Sequence, residues 1–189
     1  MRKLMAGAAL ALGLAFVSAS PALARPTPTS GVHFTQGGTP TCTLNADTTV
    51  SCTAELAGLG EGDIVITTSV GGAAVYQCQN KGGNLAPGQN KVLVGPEVNS
   101  VILPGDEIEN GRATITGFTE DPLVAPATVS GQAAGCPNGN WTGINPVLSI
   151  TSVTFRATQG GLLLFDCSAT GTNLSAGTVQ LTCTGGAAR

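Results

Sequence analysis

Apolar and polar residues alternate with a period of two over most of the chain beyond residue 30, the spacing of half-buried strands. Thr41–Leu44 and Thr48–Leu56 form a predicted hairpin about Asn45-Ala46-Asp47. Asp63–Val70 is β-branched almost throughout, and Gly71-Gly72 reads as its turn into Ala73–Gln79, a second hairpin. Lys91–Val98 is interrupted by Gly95-Pro96, which predicts an edge strand or a bulge. Ser100–Leu103 reads as a short strand ended by Pro104-Gly105. Asn110-Gly111 is a strong turn signal before Arg112–Thr119, where Ala113, Ile115 and Gly117 alternate with Thr114, Thr116 and Phe118. Val147–Thr158 is long and alternating, with Val147, Ile150, Val153 and Phe155 as the expected core members. Leu162–Cys167 and Gly177–Cys183 read as a third hairpin about Gly171–Ser175.

No window of a dozen residues after residue 24 carries helical spacing free of Gly, Pro or a β-branched run. Short strands separated by turn signals predict a single all-β domain, an antiparallel β-sandwich, immunoglobulin-like in the broad sense. Immunoglobulin domains proper place a tryptophan between two paired cysteines, whereas Trp141 lies after Cys136.

The first residues break this pattern. Arg2 and Lys3 precede a nearly unbroken apolar run, Leu4–Val17, and Pro21-Ala22-Leu23-Ala24 has the small-x-small form of a cleavage site. Residues 1–24 therefore read as a signal peptide, 25–30 as a flexible lead-in and 31–189 as the sandwich domain. The apolar run is shorter than the roughly 20 residues of a membrane span, so no stable membrane insertion is expected after cleavage. Localisation is expected to be extracellular.

Export changes the charge balance. The full chain has 8 basic and 11 acidic residues; losing Arg2 and Lys3 leaves 6 against 11, a net charge of −5. Such a surface does not suit nucleic acid, which requires basic patches.

All six cysteines, Cys42, Cys52, Cys78, Cys136, Cys167 and Cys183, follow the signal. An even number in an exported chain reads as three disulfides. With one histidine, His33, and no short paired-cysteine spacing, a metal site is poorly supported and no cofactor is implied. Six cysteines allow 15 connectivities. Local turns favour Cys42 with Cys52 and Cys167 with Cys183, which leaves Cys78 for Cys136.

Three segments, Ala57–Asp63, Cys78–Asn90 and Cys136–Thr142, carry a resemblance. The pair Cys78-Gln79-Asn80-Lys81-Gly82-Gly83-Asn84 and Cys136-Pro137-Asn138 resembles a functionally uncharacterised set of small secreted, disulfide-bonded β-proteins of high-GC bacteria and some fungi. The resemblance spans about residues 56–155. It implies a secreted β-rich domain and brings no catalytic residues with it.

Candidate chemistry is sparse. His33 lies near the lead-in, no Gly-x-Ser-x-Gly elbow is present, and disulfide-bonded cysteines are not nucleophiles. A carboxylate pair would have to come from Asp106, Glu107, Glu109, Glu120, Asp121 or Asp166, with no two preferred. Glu61-Gly62-Asp63 and Asp106–Asn110 supply oxygen ligands of the kind calcium takes, without the twelve-residue loop pattern. The expectation is a protein that is not an enzyme.

What remains is a candidate ligand patch: Asn80, Asn84, Asn138, Asn140 and Trp141. These residues share one end of the sandwich if Cys78 pairs with Cys136. Amides beside an aromatic ring suit sugar or peptide recognition. The expected function is an extracellular binding module for a protein or glycan partner. The alternatives are a secreted protease inhibitor presenting a disulfide-held loop such as Gln79–Asn90, and a carboxylate-dependent hydrolase.

Overall fold

A computed structural model describes residues 31–185. The signal and lead-in segments lie outside the described residues. Among the described residues, eleven strands form two antiparallel sheets that face each other across one core.

The first sheet is centred on β3 (Val50–Ala57). One edge of β3 pairs with β1 (His33–Phe34) and β2 (Thr41–Leu44), which lie end to end along it; the other edge pairs with β6 (Arg112–Phe118). Strand β3 alternates as its sequence requires. Val50, Cys52, Ala54 and Leu56 face the core, while Ser51, Thr53 and Glu55 face solvent.

The second sheet is organised by β4 (Ile64–Gln79), sixteen residues flanked by β5 (Leu85–Leu103) and β8 (Thr142–Gln159). Strands β9 (Leu162–Leu174) and β7 (Thr128–Ser130) share the far edge of β8. Strand β10 (Gly177–Val179) pairs with β2 in the first sheet, and β11 (Thr182–Thr184) pairs with β9 in the second.

Several expectations change here. Gly71-Gly72 is not a turn: β4 runs straight through it. Neither glycine has a positive φ. A Cβ on Gly71 would stand 2.7 Å from Ser152 Oγ, and one on Gly72 would stand 2.7 Å from the Ser149 carbonyl. The pair marks close approach beside bulges in both neighbouring strands. Opposite it, β5 carries Gly95-Pro96 as its extra residues, so Lys91–Val98 and Ser100–Leu103 are one bulged edge strand.

The β8 bulge falls at Thr151 and switches which residues face inward. Ile150, Val153 and Phe155 are buried as expected, but Val147 is on the outer face, 69% exposed. The third hairpin also differs. Strand β9 continues through Gly171–Asn173 to Leu174, and its return segment divides between the sheets as β10 and β11.

Among the described residues one turn of α-helix is present, α1 (Gly131–Ala134), besides a 3-10 turn at Gly105–Glu107. Ser130 Oγ accepts from the Ala133 amide at its start, and Gly135 closes it in the left-handed conformation. Four residues are too few to register as helical periodicity.

The core joins side chains of both sheets. Leu56 and Ile115 come from the first; Ile64, Tyr76, Val153 and Phe155 come from the second. The Phe155 and Phe165 rings pack at 5.0 Å, tilted by 60°. Three disulfides reinforce this core. Cys42–Cys52 and Cys167–Cys183 join directly opposed strand positions, with Cα separations of 4.1 and 4.0 Å. Cys78–Cys136 spans 58 residues, at a Cα separation of 5.7 Å. No helix among the described residues is long and apolar enough to cross a membrane.

Candidate functional site

Cys78 lies near the end of β4, between Ala86 of β5 and Gly143 of β8. Its partner Cys136 follows α1, and the Cys136 amide donates to the Gly131 carbonyl at 2.8 Å. The bond between them sets two loops on one base: Asn80–Asn84, joining β4 to β5, and Pro137–Trp141, leading into β8.

Each loop is folded by its own asparagine. Asn80 Oδ1 accepts from the amides of Gly82 and Asn84, each at 2.9 Å. Asn138 Oδ1 accepts from the Asn140 amide at 3.0 Å. These are local side-chain turns, the usual structural use of asparagine. Asn84, Asn138 and Asn140 are exposed and Asn80 is half-buried. The side chains of Asn84 and Asn140 make no hydrogen bond among the described residues. Trp141 is half-buried, packed against the core cluster. The five patch residues therefore divide: two amides hold the loops, two stand open, and the indole does part of both jobs.

The loop proposed for protease inhibition is shorter than the sequence implied. Leu85–Asn90 belongs to β5, where Ala86 and Pro87 pair with Cys78 and Gln77. Only Asn80–Asn84 remains as turn.

A concavity lies away from these loops, toward the opposite end of β4. It is a groove of about 1010 Å3 lined by His33, Gln36, Glu55, Glu107, Glu109 and Arg112, among others. Glu107 and Glu109 come from the acidic turn after β5, and Glu55 and Arg112 from the solvent faces of β3 and β6. Thr35 Oγ1 donates to Glu55 Oε2 at 3.0 Å, and His33 Nδ1 is 2.7 Å from the Gly31 carbonyl. Neither Glu55 nor Arg112 stood out in the sequence, because each is an ordinary polar position of an alternating strand.

The other acids are dispersed. Asp166 is on β9, in register with Arg156, and Glu120 and Asp121 follow β6. The two acidic turns are tied together: Asp63 Oδ1 accepts from the Gly105 amide at 2.9 Å. No group of three or more His, Cys, Asp or Glu among the described residues is placed to hold a metal ion.

Compared with known proteins, the chain matches no family model, no curated protein and no solved structure.

Proposed function

We propose that this is an exported, non-catalytic binding module whose contact surface is the end of the sandwich built on Cys78–Cys136. The observation that carries the reading is that one disulfide clamps two short, internally hydrogen-bonded loops to rigid strands. Binding residues on loops work when a scaffold fixes their separation, because less ordering free energy is lost on binding. The open amides of Asn84 and Asn140 both donate and accept, and Trp141 offers part of an aromatic face. That combination suits the hydroxyls and ring faces of a neutral glycan. Three disulfides accord with an oxidising, extracellular setting.

The test is a glycan array probed with the wild-type protein and with Asn84→Ala and Asn140→Ala, alongside a reducing-sugar release assay. The reading predicts a bound glycan, lost in both variants, with no sugar released. Sugar release would move the protein to the hydrolase class. Equal binding by wild type and both variants would remove the function from this end of the fold.

A further inference from the structure

Strand β5 ends its sheet: β4 covers one of its edges, and no strand among the described residues covers the other. An open edge presents unpaired amides and carbonyls, and natural proteins blunt such edges with proline, lysine or covering elements. The first half of β5 is blunted in this way. Pro87 and Lys91 lie in it, and α1 packs beside it, with Asn90 Nδ2 donating to the Gln132 carbonyl at 3.4 Å. The second half is different. Residues 97–103, Glu-Val-Asn-Ser-Val-Ile-Leu, contain no proline and one charge. Two of their outward side chains are apolar and open: Val98 is 51% exposed and Ile102 63%.

This stretch is close to its own complement. When two copies pair antiparallel about Ser100, Val98 of each copy faces Ile102 of the other. Glu97 faces Leu103 of the second copy, so no like charges meet. Pro96 faces Pro104 of the second copy, and the prolines close the pairing symmetrically at both ends. We propose that the protein self-associates as a two-fold dimer through residues 97–103 of β5, joining the second sheets of two copies into one continuous sheet. The partner is a second copy rather than an unrelated strand because the apolar pairs, the lone charge and the flanking prolines are all symmetric about one residue. Such an interface is isologous and closes at two subunits. Each dyad-related Val98–Ile102 contact is a cross-strand apolar pair, the unit that stabilises sheets. Outward rows also become continuous, since Ile102 already stands in register with Val65 on β4.

The proposal is independent of glycan binding, which uses the other end of β5. Its test is sedimentation equilibrium on the full chain as purified, over a range of concentrations. Wild type is expected to show a reversible monomer–dimer equilibrium. Val98→Lys with Ile102→Lys places like charges opposite each other twice and is expected to give a monomer with an unchanged circular-dichroism spectrum. Val98→Lys with Ile102→Glu places opposite charges across the dyad and is expected to restore the dimer. Wild type that stays monomeric at every concentration overturns the proposal. So does a double-lysine variant that dimerises like wild type, or a lysine–glutamate variant that stays monomeric. Should the variants not fold, hydrogen exchange on wild type decides. Slower exchange at residues 97–103 in concentrated than in dilute solution supports the edge pairing, and exchange independent of concentration refutes it.

Discussion

Thr68, in the first half of β4, has its hydroxyl fully buried and without a hydrogen-bond partner among the described residues. Its register neighbour on β5, Asn99, has its Nδ2 in the same condition. Across the core, a Cβ on Gly117 would run into Thr68 Oγ1 and the Phe155 ring, so the sheets already touch at this point. Replacing Thr68 with valine keeps the branched shape and exchanges the orphan hydroxyl for a methyl. A buried, unsatisfied polar group costs about 1–3 kcal/mol, and an added buried methyl contributes roughly 0.8 kcal/mol where it fits. Thr68→Val should therefore stabilise the protein by about 1–3 kcal/mol, against a typical domain total of about 5–15. In urea, with a slope of about 1–3 kcal/mol per molar, the midpoint should rise by about 1 M. The assay is equilibrium unfolding with the slope unchanged between variant and wild type. A midpoint that stays put or falls refutes the reasoning. It would mean the hydroxyl is satisfied, with a buried water linking it to Asn99 as the natural partner.

Removing Cys78–Cys136 by paired alanine substitution should cost about 4 kcal/mol, since it closes the longest loop, and removing either hairpin disulfide about 3; urea unfolding of the three double variants checks the order, and a Cys42/Cys52 variant that is the least stable of the three contradicts it. All six cysteines are bonded, so thiol titration of unfolded, unreduced protein should find none, and two reactive thiols would contradict the pairing. Trp141→Ala should lower stability by about 2 kcal/mol, roughly half the cost of a fully buried tryptophan, because the indole is only half-buried; a loss above about 4 would make it a purely core residue. The Asp47 carboxylate accepts from the Thr49 hydroxyl at 2.7 Å and the Thr49 amide at 3.0 Å, which holds its pKa below the ordinary aspartate value. Its contribution is present above the unfolded-state pKa and is lost as pH falls through the folded one; NMR titration should show Asp47 as a low-titrating aspartate, and a normal or raised midpoint would refute that.

Much of the fold is legible in the sequence because strand periodicity is a local property. The first hairpin, β6 and the inward run Val153–Phe155 follow directly from alternation. Bulges are where legibility fails. Gly71-Gly72 looks the same in sequence whether it turns a chain or lets Ser149 and Ser152 approach. Only the neighbouring strands decide between the two. The same bulge accounts for Val147: a single extra residue at Thr151 reverses the inward phase. The cap of α1, Ser130, and its closing Gly135 are readable signals that a search for helical periodicity passes over.

At the candidate site, the bond between Cys78 and Cys136 was legible, and the hydrogen bonds of the loops it joins were not. Nothing in the sequence separates Asn80, whose side-chain oxygen folds its own loop, from Asn84, whose side-chain amide stands open among the described residues. The groove was not legible because Glu55, Glu107 and Arg112 come from separate segments and meet only once β3 and β6 pair.

The central claim is that one covalent bond places the two amide-bearing loops side by side. Peptide mapping of the unreduced protein tests it most directly. The account predicts a disulfide-linked fragment joining the region Tyr76–Lys81 to the region Gly135–Trp141, which separates into two peptides on reduction. A fragment joining Cys78 to Cys52 or to Cys183 would contradict the account and leave the shared end without its base.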